Sequence, residues 1–403
     1  MAGKRANGEG SIFPYRRGFC AYAWVTTPSG DRKRKYVYGK TREEVHNKWL
    51  KLQQEAKKGP VSTNVPKLGP YLLHWLEEFI QPNRAPKTYV NYELFVRLYI
   101  NPFLGETRID RLQLREAQKW ANKLPTVCQC CAQGKDAKRP RNKQRCCAKG
   151  RCCGQAPSAR TIRDIRDCLR SALNYAIREE LITRNVVGLV TLPAVRKPKR
   201  QRWSNDEARK FLESAKKDND PLYAAYVLIV IMGMREGEVL GLPEEAINFE
   251  TSELDIAWQL QRVRKQLLHR QTKTPTSDDT LPMIDVVTAA LKLRIEHRNR
   301  DREKADFWPD SNLLFTTQLG TPVEPRNFLR SWAARCTKAG VRYITVHDGR
   351  RSCGSLLADL DVHPRVAMRI LRHAQFSMTM EIYTEVSSEQ TRAALKKLGD
   401  SLR

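Results

Sequence analysis

The sequence predicts a multidomain chain: a small α+β domain, an α-helical domain, and a mixed, mainly α domain with a small antiparallel sheet. Its 403 residues exceed what one hydrophobic core usually spans. Apolar periodicity is strand-like near the start, helical from about residue 68, and mixed after about 202. Two proline-bearing stretches, 61–69 and 192–202, read as linkers between these parts. The expected bounds are therefore 1–60, 68–190 and 202–403.

Charge narrows the class of partner. Lys and Arg number 72 against 44 Asp and Glu, a net +28. A chain this basic repels itself unless an anionic partner neutralises it, and nucleic acid is the first expectation, well ahead of an anionic membrane. The longest apolar run, "LYAAYVLIVIMGM" from Leu222 to Met234, has 13 residues. A spanning helix needs ~20, so the run reads as a buried core helix and no membrane span is expected. The opening "MAGKRANGEG" lacks the apolar core of a signal peptide, which points to a cytoplasmic protein. In that compartment the 11 cysteines should be thiols or metal ligands rather than disulfides.

In the first 60 residues, "FCAYAWVTT" and "RKRKYVYG" flank the turn "PSGD" and predict a β-hairpin, with "SIF" as a third strand. "TREEVHNKWLKLQQEAKKG" predicts a helix capped by Thr41, with Glu44 three residues on and Gly59 past its end. This segment has 14 Lys/Arg and 5 Asp/Glu. A small basic sheet can enter a DNA groove, and Arg32, Lys33, Arg34 and Lys35 are its candidate phosphate contacts.

Four helices are expected next. "PYLLHWLEEFI" is the first; "APKTYVNYELFVRLYINPFLG", ended by Asn-Pro and Gly105, is the second; "LREAQKWANKL" is the third. The fourth, in "SARTIRDIRDCLRSALNYAIREELITRNV", has an apolar stripe through Ile162, Ile165, Leu169, Leu173 and Ile177. An insert at 126–156 interrupts them. It has Cys128, Cys130, Cys131, Cys146, Cys147, Cys152 and Cys153, with eight Lys/Arg and one acid between Lys135 and Arg151. Two readings stand: a structural zinc held by four of the seven, which would staple a stretch almost without apolar residues, or a thiol-rich loop without metal. Either way, the charge suits a loop laid on phosphates.

The second linker adds Arg196, Lys197, Lys199, Arg200 and Arg202, a tether suited to a DNA backbone. "WSNDEARKFLESAKK" then opens the last domain with Ser204 and Glu207 as a capping box. "GMREGEVLGL" sets Arg235 beside the buried helix, with Glu238 placed to hold its guanidinium. "TSELDIAWQLQRVRKQLLHRQTKTPTSDDTLPMI" alternates like strands, with "QTKTPTSDD" as a hairpin tip bearing Lys273 and with Lys265 as a second lysine in reach. "TVHDGRRSCGSLLADL" starts a helix near His347 that also bears Arg350; "HPRVAMRILRHAQ" ends near His373; Tyr383 follows ten residues on.

Each of these residues alone has an ordinary structural explanation. Together they fit phosphodiester chemistry. Two arginines can clamp the oxygens on which charge builds, a phenol can attack phosphorus, and lysine and histidine can move protons. No carboxylate cluster stands beside them, which argues against a two-metal nuclease.

The order Arg…Lys…His-x-x-Arg…His…Tyr, carried by "GMREGEVLGL", "VHDGRRSCGSLL" and "LRHAQFSMTMEIYTEV", resembles the tyrosine recombinase (phage integrase) family. The resemblance covers almost the whole chain. It implies an arm-binding β-domain, a helical core-binding domain and a catalytic domain, with no cofactor for catalysis. It implies that Arg235 and Arg350 bind the scissile phosphate, Lys273 is general acid, His347 transfers a proton, His373 donates to the phosphate, and Tyr383 forms a 3′-phosphotyrosyl link. Glu238 would support Arg235. The implied activity is site-specific integration and excision of a mobile element by a homotetramer on double-stranded attachment sites, with an excisionase and a DNA-bending protein as accessory partners. A type IB topoisomerase shares the chemistry, but the arm-like domain favours the recombinase. Two positions depart from the family pattern: Gly349 where leucine is frequent, and Arg372 where glycine is usual. The insert resembles those of integrases from actinobacterial elements. The tail 387–402 is amphipathic through Ala393, Leu395 and Leu398, and would pack on a neighbouring subunit or on its own domain.

Overall fold

The computed structural model describes residues 12–27, 30–59, 61, 65–194, 201–272, 279–309, 311–383, 396 and 398–400. Lys273, Arg196, Lys197, Lys199, Arg200, Ala393 and Leu395 lie outside these residues. The chain falls into two compact units that divide between residues 197 and 198.

The first unit holds two hydrophobic clusters. One lies under an antiparallel sheet of β1 (Phe13–Tyr15), β2 (Gly18–Thr26) and β3 (Arg32–Gly39). The third strand thus exists, two residues later than "SIF". The helix Arg42–Lys58 begins where the sequence places it: Thr41 accepts from the Glu44 amide. It buries Val45, Trp49 and Leu52 against Ala21, Ala23 and Val25.

Period-two geometry divides the basic run on β3. Register pairs Arg34 with Trp24 and Lys35 with Ala23. Arg32 and Arg34 therefore stand on the outer face with Tyr22, Trp24, Tyr36 and Tyr38, while Lys33 and Lys35 share the helix-covered side. The Arg34 guanidinium sits 4.8 Å from the ring centres of both Tyr22 and Trp24. Burial lowers the Lys35 pKa.

The second cluster, from Val65 to Val190, is helical. The helices Leu68–Trp75 and Pro86–Phe95 each continue through a π turn, Leu76–Ile80 and Val96–Ile100, into a short helix bearing Pro82 or Pro102. Asn-Pro therefore does not end the second helix. The Asn101 amide donates to the Val96 carbonyl, and the chain stays helical to Leu104. The wider turn relieves the contact that a proline ring makes with the carbonyl four residues back. The helices Leu114–Lys123 and Ala159–Arg178 complete the group. The last is shorter than its sequence pattern suggests, because Glu180 turns at φ 57°.

The second unit packs around Tyr223–Val230, a helix whose every residue is buried. Trp203, Phe211 and Trp332 form an aromatic stack beside it. The helix Asn205–Lys217 starts with the expected Ser204–Glu207 box. The expected antiparallel structure falls into two small sheets among the described residues. Strands β4 (Ile247–Asn248), β5 (Glu253–Ile256) and β8 (Asp279–Pro282) form one; β6 (Trp258–Val263) and β7 (Gln266–Gln271) form the other. The tight β6–β7 turn is Arg264–Lys265, with Arg264 at φ 52°. The tip expected in "QTKTPTSDD" falls on 273–278, outside the described residues; β7 before it and β8 after it pair with different strands. The unit also contains the helices Asp285–Glu303, Pro325–Lys338, Val346–Asp359, Pro364–Leu371 and Phe376–Tyr383. Leu398 in the tail is exposed.

Candidate active site

The buried helix ends at Val230, and three residues on Gly233 turns at φ +58°. A Cβ there would stand 2.7 Å from Leu371 Cδ2, so the left-handed turn and the close packing both require glycine. The turn aims Arg235 as N-cap of the short helix Glu236–Leu240. Glu238 then closes a capping box: its carboxylate accepts from the Arg235 amide at 2.9 Å and from the Arg235 guanidinium. Glu238 is only 3% exposed.

Arg350 comes from the Val346–Asp359 helix, which Thr345 caps. It is 4% exposed, and its two terminal nitrogens donate to the carbonyls of Gly233 and Leu371. Burial, then the Arg235 charge, pulls its pKa down to about 9. His347, one turn earlier, is exposed. Gly349 is explained by Trp332, whose ring atoms would lie 2.8 Å from a Cβ at that position.

Arg372 is the residue that sequence reasoning undervalued. It takes the left-handed cap of Pro364–Leu371 at φ 48°, ψ 53°, where glycine would be free of strain. Its side chain is buried and donates to the same Glu238 carboxylate. Its Nε and Nη1 are buried with no hydrogen-bond partner among the described residues. The sequence signal was present in the departure itself: a bulky cation in a glycine position beside His373 needs a specific partner. Burial raises the Glu238 pKa, but Arg372 and Arg235 overcome it and hold the carboxyl below its usual range.

His373 follows directly. Its Nδ1 lies 3.0 Å from the hydroxyl of Thr379, which is fully buried. Burial first, then Arg350 and Arg235, pushes its pKa down to about 4. Tyr383 ends the Phe376–Tyr383 helix, and its hydroxyl donates to the Val362 carbonyl at 2.7 Å. Burial, with a smaller contribution from Cys353, raises its pKa. The ring packs with Ile382 and Leu371 beside Cys353. The structure therefore gathers Arg235, Glu238, Arg350, Arg372 and His373, while the Tyr383 hydroxyl is engaged by a backbone carbonyl. Among the described residues, three guanidiniums gather around the Glu238 carboxylate in a site partly shielded from water, with Asp279 acting more weakly on Arg372. Such a site suits a phosphodiester.

In the first unit, the insert gathers all seven of its cysteines as free thiols. Their sulfur atoms are arranged so that they can hold metal.

The description "Phage integrase family" matches residues 201–390, and "Phage integrase, N-terminal SAM-like domain" matches 67–124. The chain is similar to a "Tyrosine recombinase XerC-like" protein of Caldanaerobacter subterraneus subsp. tengcongensis, at 28% identity over 397 residues, 92% of this chain and 93% of that protein. An integrase of the actinobacterium Saccharopolyspora erythraea is 23% identical over 439 residues, 93% of this chain and 92% of that one. In fold, the chain is similar to the Tn1549 transposon integrase in complex with circular intermediate DNA, at TM-score 0.61 and 20% identity, covering 83% of this chain and 99% of that one. It is also similar to a lambda integrase tetramer bound to a Holliday junction, at TM-score 0.54 and 16% identity, covering 95% and 98%. The two matched descriptions fall on the helical region and on the unit that gathers the arginines, and the chain belongs to the phage integrase family of tyrosine recombinases, which are DNA strand transferases.

Proposed function

We propose that the protein integrates and excises a mobile element by cutting and rejoining double-stranded DNA at attachment sites. The observation that carries this reading is the cluster of Arg235, Arg350 and Arg372 around the single carboxylate of Glu238. Arg235 and Arg350 bind the scissile phosphate and stabilise charge on its non-bridging oxygens. The Tyr383 oxygen leaves the Val362 carbonyl and attacks phosphorus, forming the O–P bond of a 3′-phosphotyrosine as the P–O5′ bond breaks. His347 takes the phenol proton, and Lys273 protonates the departing 5′-oxygen. His373, neutral and held through Nδ1 by Thr379, offers Nε2–H to the phosphate. Attack by the 5′-hydroxyl of another strand reverses the chemistry. The phosphotyrosyl bond keeps the energy of the broken phosphodiester, so no ATP is consumed.

The outer sheet face bearing Arg32, Arg34, Trp24, Tyr36 and Tyr38 contacts arm-type DNA, and the 68–190 helical region with Arg202 and its neighbouring linker contacts the core site. The working assembly is a homotetramer on DNA in the cytoplasm, at the nucleoid, assisted by an excisionase and a DNA-bending protein. Among the described residues no helix is long and apolar enough to cross a membrane. The cysteine insert holds structural zinc. A suicide half-site DNA that traps the covalent intermediate tests the proposal: mass spectrometry should find the adduct on Tyr383. An adduct on another residue, or none with DNA bound, would overturn it.

A further inference from the structure

We propose that the insert is a binuclear zinc centre in which Cys147 bridges the two ions. This rests on the reading that the insert holds zinc, and deepens it. Two sets of four sulfur atoms each lie within 4.8 Å of one another: Cys128, Cys131, Cys147 and Cys152 in one, Cys130, Cys146, Cys147 and Cys153 in the other. Cys147 belongs to both, so all seven cysteines are used and each ion has four thiolates.

The doubled cysteines, which fit poorly with a single zinc, are explained by two. Cys130 and Cys131 divide between the sets, as do Cys152 and Cys153, while Cys146 and Cys147 both belong to the second and Cys147 also to the first. The Cys131–Cys152 and Cys130–Cys146 sulfur separations, one in each set, are 3.6 and 3.7 Å; Cys131 and Cys147 stand closer, at 2.8 Å, and Cys128 and Cys153, from different sets, are 3.6 Å apart. A tetrahedron with Zn–S bonds of ~2.3 Å has edges of about 3.8 Å. A disulfide needs ~2.05 Å, well short of the 3.6 and 3.7 Å separations.

The protein shapes the turn that carries the bridge. Asp136 is fully buried, and its carboxylate accepts from the amides of Arg145, Cys146 and Ala148 and from the Arg139 guanidinium. This carboxylate fixes the backbone on both sides of Cys147. The Gln129 amide donates to the Gln155 carbonyl at 2.8 Å and closes the insert at its base. Charge agrees as well: two Zn2+ and seven thiolates leave about −3, amid eight Lys/Arg and one acid between Lys135 and Arg151. With one ion, three thiols packed in the same cluster would have no metal partner.

The test is metal stoichiometry on the full-length protein, purified under reducing conditions, by native mass spectrometry and elemental analysis. Zinc K-edge absorption on the same sample reads the ligand shell. Two zinc per chain, an all-sulfur shell and a Zn–Zn scattering vector are expected. One zinc per chain would overturn the bridge and leave the zinc reading intact; none would overturn both. Two zinc without a Zn–Zn vector would also overturn the bridge. Cys147→Ser should lower occupancy at both ions, whereas Cys152→Ser should weaken one. The wild-type stoichiometry decides even where a variant fails to fold.

Discussion

The Tyr383 hydroxyl donates a 2.7 Å hydrogen bond to the carbonyl of Val362, in the turn between the helix that bears Arg350 and the helix that leads to Arg372 and His373. The hydroxyl proposed as nucleophile is thus held by backbone, and the burial that raises its pKa keeps it protonated there. Tyr383→Phe should abolish covalent adducts on a suicide substrate while DNA affinity stays within about twofold. It should cost roughly 1 kcal/mol of stability for the lost hydrogen bond. Adduct formation by the phenylalanine variant would remove Tyr383 from the mechanism.

Glu238→Gln leaves two guanidiniums, one of them fully buried, without their carboxylate. Breaking a buried pair from one side typically costs about 3–5 kcal/mol. Urea unfolding should show a loss of that order, together with a sharp fall in cleavage. A loss under 1 kcal/mol would mean the carboxylate is not the hub of the cluster.

Arg372 separates backbone strain from charge. Alanine at φ 48° keeps the left-handed penalty and loses the ion pair; glycine loses the ion pair but relieves the penalty. Arg372→Gly should therefore be more stable than Arg372→Ala by about 1 kcal/mol. Equal midpoints in denaturant would show that the cap conformation is not retained in the variants.

His373 predicts a pH window. Its folded pKa of about 4 lies below the ordinary 6.5. Between those values the unfolded chain binds a proton that the folded chain does not, so this residue makes stability rise with pH across the window. The wild type should lose stability on acidification from pH 6.5 towards 4 more steeply than His373→Asn. Parallel profiles in a series of thermal melts would contradict the depressed pKa.

On the sheet, Arg34 lies over Trp24 and Tyr22 with its charge open to a phosphate. Arg34→Ala should weaken arm-site binding and reduce the slope of log affinity against log salt by about 1. Cleavage of a core half-site should be unchanged. Lys35→Ala, on the helix-covered side, should leave the salt slope as it was.

The sequence alone determined the buried helix before Arg235, the capping residues Thr41 and Ser204, the partnership of Glu238 with Arg235, and the order of the arginine, histidine and tyrosine motifs. These depend on neighbours a few residues apart, through helical periodicity and local hydrogen bonds. Only tertiary structure decided the rest. Arg372 reaches Glu238 across 134 positions, and no local pattern encodes that meeting. The alternate-face division of Arg34 and Lys35 depends on pairing with β2, and the passage of a helix through Pro102 depends on a π turn. The two sets of cysteine sulfurs share Cys147 because a buried Asp136 folds the turn around it. Ligand geometry of that kind comes from long loops closing in space, which spacing along a chain does not fix.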